Sequence, residues 1–250
     1  MYKLTGSKIK AAESLFGTYK NNIPVFRSVL DGNHKGTVFA DNENIPSWAV
    51  LTTADYHTFV AGNQMPSAML DDVLFNGILA EQDEKQLLVF TPSDDWKPLL
   101  ESVFLPREGF IVPRKMFSFS NKAYSKAGSW QDKMPKKAEM IVVKERFSQF
   151  CLKEGWVAKL MLERICVCTA TSMAGGGFAE MGIETNPDFR GKGYATITAL
   201  ALIERLLYES LIPCWSSWPE REASQAVARK IGFIPQPDVN AWVWEEPGQD

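Results

Sequence analysis

Apolar residues recur at two spacings along this 250-residue chain. Residues 36–41, 47–53 and 56–61 are β-branched and aromatic runs bounded by turn residues, a pattern that predicts a small antiparallel meander. Met69, Leu70, Val73, Leu74 and Ile78 then fall at helical spacing and predict a helix over 67–80. Residues 86–91 read as a strand, 96–104 as a short helix and 110–119 as a further strand. The polar stretch 121–137, with Gly128 and Pro135, is the expected linker. Helical character is read again over 138–153, with Gly155 as its C-cap.

From Trp156 the pattern sharpens. Residues 156–162 and 165–170 are apolar runs around Glu163-Arg164, which predicts two antiparallel strands joined by a tight turn. Gly175-Gly176-Gly177 leads into a third strand over 178–185. Asn186-Pro187 ends it, because proline cannot donate to a ladder and restricts the residue before it. A helix is predicted over 193–211, with Ile197, Leu200, Ala201, Leu207 and Leu211 as its apolar positions, and Pro213 closes it. Residues 214–218 read as a strand, 221–231 as a helix ended by Gly232, and 239–244 as a last strand.

Composition changes this picture little. Hydrophobic residues make up 45% and charged residues 23%, an ordinary globular balance for one large domain or two small ones. Lys and Arg number 27 against 30 Asp and Glu, and neither half of the chain is a polycation, so a nucleic-acid partner is not expected. No apolar run has signal-peptide or bilayer-spanning length, and the reading is a cytoplasmic protein with no membrane partner. The cysteines are too few and irregular for a disulfide scaffold. Cys166 and Cys168 lack metal-site spacing; on a strand both should point to one face as buried apolar thiols, and no metal is expected.

The chemistry concentrates between Thr185 and Thr196. Where a strand hands over to a helix, Gly191 and Gly193 let the backbone approach a ligand closely, and the helix start presents unpaired N–H groups. Arg190 and Lys192 add full positive charges, and a pyrophosphate is the natural guest. Spacing excludes an NTP-binding Gly-x-x-x-x-Gly-Lys-Ser/Thr loop, since one residue separates the glycines and Tyr194 follows. A dinucleotide fingerprint fails too: Thr196 stands where its third glycine belongs, and no acid follows at the next strand.

Arg190, Gly193 and Ala195 fit Arg/Gln-x-x-Gly-x-Gly/Ala, which resembles motif A of the GNAT acetyltransferase superfamily. The strand ending in Asn-Pro, the long helix, the strand at Cys214 and the closing Ala226-Val-Ala-Arg-Lys-Ile-Gly-Phe233 extend the likeness over about 156–234. Glu180-Met-Gly-Ile-Glu-Thr185, Pro213-Cys-Trp215 and Ser224-Gln-Ala-Val-Ala228 are similar to the subfamily of zwittermicin-resistance-type acetyltransferases. Weaker likeness in 36–46 and 60–62 admits an N-terminal α/β domain that is itself a degenerate GNAT-like unit.

The resemblance implies a mixed, mostly antiparallel sheet flanked by helices over 138–250, an α/β (α+β) fold, after a smaller domain over 1–120. It implies acetyl-CoA as co-substrate, with the backbone at Ile183 and Thr185 aligning the pantetheine arm, and Arg190, Gly191, Lys192, Gly193, Tyr194, Ala195 and Thr196 holding the pyrophosphate. A small-molecule amine would attack the thioester directly, and the resemblance admits a homodimer. Glu180 is the candidate base and Glu184 its alternative; a strand-face glutamate paired with a cation is the competing reading. Ala228 and Arg221 replace a tyrosine and an asparagine common in the family, so the general acid is unassigned, with Tyr194, Ser217 and Ser224 within consideration. That departure also motivates the alternative of a non-catalytic acyl-CoA-binding module.

Overall fold

The computed structural model describes residues 1–82 and 85–246. It divides into two compact units, one made of Met1–Pro113 with the chain from Val239 on, the other of Arg114–Asp238. Among the described residues no helix is long and apolar enough to cross a membrane.

In the first unit, strands β1 (Tyr2–Leu4), β2 (Gly36–Ala40), β3 (Trp48–Thr53), β4 (His57–Gly62) and β5 (Gln86–Phe90) lie side by side in chain order. The last strand of the chain, β12 (Phe233–Glu245), closes the row with Trp242 opposite Val89. The expected meander is present as β2, β3 and β4, antiparallel throughout. The β4–β5 pair is parallel, from His57↔Leu88 to Phe59↔Phe90. Helix α1 (Ile23–Leu30) is followed by α2 (Ser67–Asp71), which runs on through π and 3-10 turns to Glu81, and by α3 (Lys97–Phe104).

Alternation along the strands gives each face its own core. Val50, Val60, Val89 and Trp242 pack with Leu70, Leu74, Leu100 and Phe104 from α2, its extension and α3. Phe59 and Phe90 point the other way and stack at 5.4 Å, with Phe26 and Tyr19 against Phe59 at 5.5 and 5.7 Å.

Beyond Phe59↔Phe90 the parallel pairing ends, and Tyr19 fills the gap. Its hydroxyl lies 2.8 Å from both Val60 O and Phe90 O, donating its single proton between two carbonyls. Burial pushes the phenol well above its usual range, with the Val60 bond pulling the other way. Tyr19→Phe should therefore cost about 1–2 kcal/mol, because a buried carbonyl loses its donor; urea unfolding reads this directly.

Asp55, on the turn between β3 and β4, lies beside His57, with a carboxylate–imidazole separation of 3.8 Å, too long for a hydrogen bond. Burial alone would push this carboxyl up; His57, Thr53 and the nearby His34 together hold it well below the usual range. A depressed carboxyl stabilises the fold above its unfolded value near ~3.9 and ceases to do so as pH falls through its folded value. Unfolding free energy should therefore fall more steeply below about pH 4 in the native chain than in Asp55→Asn.

In the second unit, the strands run in the order β12, β6 (Phe110–Phe119), β11 (Ile212–Ser217), β10 (Phe178–Thr185), β9 (Ile165–Gly175), β8 (Gly155–Leu162), β7 (Ala138–Glu145). The chain passes from one unit to the other inside β6 and returns inside β12. The 121–137 stretch read as a linker belongs to the second unit, where it forms α4 (Asn121–Tyr124) and a 3-10 turn at Gln131–Lys133. Only β10–β11 is parallel among the registered pairs of this unit. Helix α5 (Tyr194–Tyr208) buries Ile197 to Ile203 and Leu206, and α6 (Glu222–Lys230) buries Gln225 and Ala228.

Two local readings are corrected. Residues 138–153 are not a helix: β7 pairs with β8 along its whole length, and the run Ile141-Val142-Val143 suits a pleated edge better than a helix. Gly155 is accordingly no C-cap but the first residue of β8, where a Cβ would sit 2.5 Å from Ser172 O and 3.0 Å from the Phe147 ring. The two cysteines of β9 do not share a face either. Leu160 pairs with Cys168 but Met161 with Cys166, so Val167 is an inserted residue, leaving Cys168 buried and Cys166 exposed. The Glu163-Arg164 turn is as expected, with φ of 47° and 72°, the left-handed pair that a two-residue hairpin needs.

Candidate functional site

Strand β10 gives the site its shape. It pairs with β9 over all of Phe178–Thr185, yet with β11 only from Phe178↔Ile212 to Glu180↔Cys214. From Cys214 onward β11 pairs on its other edge with β6. The two parallel strands thus part after Glu180. A cavity of about 870 Å3 borders this part of β10, lined by Ile183, Glu184, Thr185, the following loop and one side of α6.

The loop is held by its own polar groups. Asn186 Oδ1 accepts from Asp188 N at 3.2 Å, Phe189 N donates to Asn186 O at 2.8 Å, and Arg190 Nε donates back to Thr185 O at 3.3 Å. Gly191 and Gly193 then take φ of 75° and 80°, the left-handed region that penalises other residues. A Cβ at either glycine would meet no atom within 4 Å, so open space rather than crowding faces them. Helix α5 begins at Tyr194 without a side-chain cap, and helix geometry leaves the first amides without intrahelical carbonyls. These amides, the cavity and the charge of Arg190 fit a pyrophosphate with an extended arm along β10.

Of the residues marked from sequence, Ile183, Glu184, Thr185, Arg190, Gly191, Gly193, Tyr194, Ala195 and Thr196 line this cavity together. Lys192 does not: its Nζ sits 4.9 Å over the Phe189 ring and donates to Asp188 O at 3.4 Å. Glu180 lies outside the lining too, where the strands part. Its Oε1 accepts from Ser216 Oγ at 2.6 Å, and Arg114 donates to the same Oγ from Nε and Nη2 at 3.2 and 3.0 Å. The cation of the competing reading thus exists, and it reaches Glu180 through a hydroxyl. Between these strands, burial foremost and the Glu180 charge next push the Cys214 thiol up to about 12, so it stays protonated.

Ser224 and Tyr194 line the cavity, whereas Ser217 is buried and donates to Trp218 O. Ala228 is fully buried in α6, and Trp215 is a core residue whose Nε1 donates to Ser224 Oγ at 3.2 Å. Sequence reasoning missed Ala223, Val227 and Lys230. Their 4- and 3-residue spacing, which marks one helix face, was the available signal.

The parallel pair of the first unit parts in the same manner after Phe59, but Tyr19 occupies the gap that stands open after Glu180.

A family model described as GNAT acetyltransferase matches residues 13–164 and 159–241. An uncharacterized N-acetyltransferase of Bacillus subtilis (strain 168), YdfB, is 25% identical over 93% of this chain and 94% of its own. Among solved structures, a GCN5-related N-acetyltransferase-like protein from Streptococcus suis 89/1591 is 19% identical, covers 95% of this chain and 98% of its own, and has a TM-score of 0.69. A tandem GNAT protein from the clavulanic acid biosynthesis pathway, 8% identical, covers 100% of this chain and 99% of its own at a TM-score of 0.65. These last two show the fold alone. With the family model spanning most of the sequence and the parted strands leading into a glycine-bent helix start, the chain belongs to the GNAT acetyltransferase family.

Proposed function

We propose that the protein transfers an acetyl group from acetyl-CoA to a primary amine of a small molecule by direct attack. The observation that carries this reading is the parting of β10 from β11 beside a cavity that leads to the open start of α5. The pantetheine arm would run along the β10 edge at Ile183 and Thr185. The pyrophosphate would take the amides from Gly191 to Thr196, with Arg190 adding charge.

In the reaction the amine nitrogen bonds to the thioester carbonyl carbon, the C–S bond breaks, and CoA leaves as a thiolate that takes up a proton. Attack requires a neutral amine, so an ammonium must first lose a proton, and the new amide nitrogen loses a second, which balances the one taken up by the thiolate. Glu180 is the proposed acceptor for the first proton, directly or through water, and returns it to solvent, with Glu184 as its alternative on the cavity wall. Of the hydroxyl groups on that wall, Ser224 and Tyr194 are the proposed donors to the departing sulfur. The phrases around Glu180, Cys214 and Ser224 support a kinship with zwittermicin-resistance-type acetyltransferases, in keeping with a small-molecule amine as acceptor.

Free-thiol release from acetyl-CoA across an amine panel tests the reading. CoA binding without transfer to any amine would leave a binding module in its place. Because Tyr19 fills the corresponding gap in the first unit, calorimetry should find one CoA per chain; two sites of comparable affinity would contradict the assignment.

A further inference from the structure

We propose that Ser216 and Arg114 are positioning residues for Glu180, with the guanidinium fixing the direction of the serine proton towards the carboxylate. The proposal rests on the reading of Glu180 as the base.

Strand register brings the group together. Glu180 of β10 is opposite Cys214 of β11, and Ser216 is opposite Met116 of β6. Residues two apart on a strand share a face, so Glu180, Cys214, Ser216 and Arg114 stand on one face of three adjacent strands. Arg114 is anchored over the Trp218 ring, its guanidinium carbon 4.2 Å from the ring centroid. From there Nε and Nη2 both donate to Ser216 Oγ, at 3.2 and 3.0 Å. A hydroxyl has two acceptor positions and one proton. With both acceptor positions occupied by Arg114, the proton can only be given outward, and Glu180 Oε1 receives it at 2.6 Å.

The chain therefore has one polarity, from cation through hydroxyl to anion. Rotation of the serine costs two charge-assisted bonds, so the carboxylate is oriented and its ionised form is favoured. Cys214 from β11 also faces Glu180, and Glu220 and Arg221 lie near Arg114. Arg114 is shifted down mainly by burial, with Glu180 opposing and Arg221 adding to the shift. Cys214 stays neutral across the working range and does not compete for the proton.

The test is a carbon-detected NMR titration of the glutamate side-chain carboxyls in the full chain, the Glu180 signal being identified by its loss in Glu180→Gln. In Ser216→Ala and Arg114→Lys the midpoint should move to higher pH, and in Ser216→Thr it should return towards the native value. Each unit of upward movement costs about tenfold in kcat/KM on the acid limb, read by thiol release. A merely structural role would lower stability without moving the midpoint. A folded Ser216→Ala protein with the native midpoint overturns the proposal. If Glu180→Gln keeps full thiol release while Ser216→Ala still moves the midpoint, the hydrogen-bonded chain exists but Glu180 is not the base, which separates the two failures.

Discussion

Gly193→Glu should lower CoA affinity at least ~100-fold, on the order of 3 kcal/mol, with the fold retained. Two effects add at this position. The residue has φ of 80°, a conformation that costs a non-glycine side chain about 1–2 kcal/mol. The larger effect is electrostatic: the new carboxylate would stand in the open space before the α5 amides, competing for them and repelling a pyrophosphate. Gly193→Ala separates the two, since it keeps the backbone cost without the charge and should lose no more than about tenfold. Calorimetry with CoA on both variants reads the difference, and intact affinity in Gly193→Glu would show that the pyrophosphate lies elsewhere.

The second large effect is expected in turnover rather than binding. Glu180→Gln keeps the shape of the side chain and an acceptor for Ser216, so CoA affinity should stay within about twofold. It removes the proton acceptor, and kcat should fall by about 10²–10⁴. Glu184→Gln is the control. That residue borders the cavity but lacks the Arg114–Ser216 support, and its loss should cost much less. A larger fall for Glu184 than for Glu180 would reverse the assignment of the base.

The loop and helix start that line the cavity were legible because they are local. A strand, an Asn-Pro stop, two glycines and a helix start occupy one continuous stretch, and backbone geometry there is dictated by the residues themselves. The place of the Lys192 side chain was not legible, because sequence supplies its charge but not the Phe189 ring over which its Nζ sits. The β7 segment was misread for a related reason. Ala138, Met140 and Glu139 favour a helix, but the neighbouring β8 edge offers eight paired positions, and that partner is set by the fold rather than by the segment. The approach of Arg114 to Ser216 and Glu180 was unreadable, since Arg114 and Glu180 are 66 positions apart and only the placement of β6 beside β11 unites them. Tyr19 is similar: nothing local marks a tyrosine that closes a gap between strands 41 and 71 positions away.

Strands β6 and β12 each begin in one compact unit and end in the other, and this has a consequence for synthesis. Most of the first unit emerges from the ribosome before the second, yet the strand beside β5 is residues 242–245, made only after the second unit. Until then the β5 edge and the Trp242 position in its core are unfilled. The half translated first is thus the half finished last, and a nascent chain stalled near residue 238 would hold an exposed apolar edge, the kind of species that chaperones recognise.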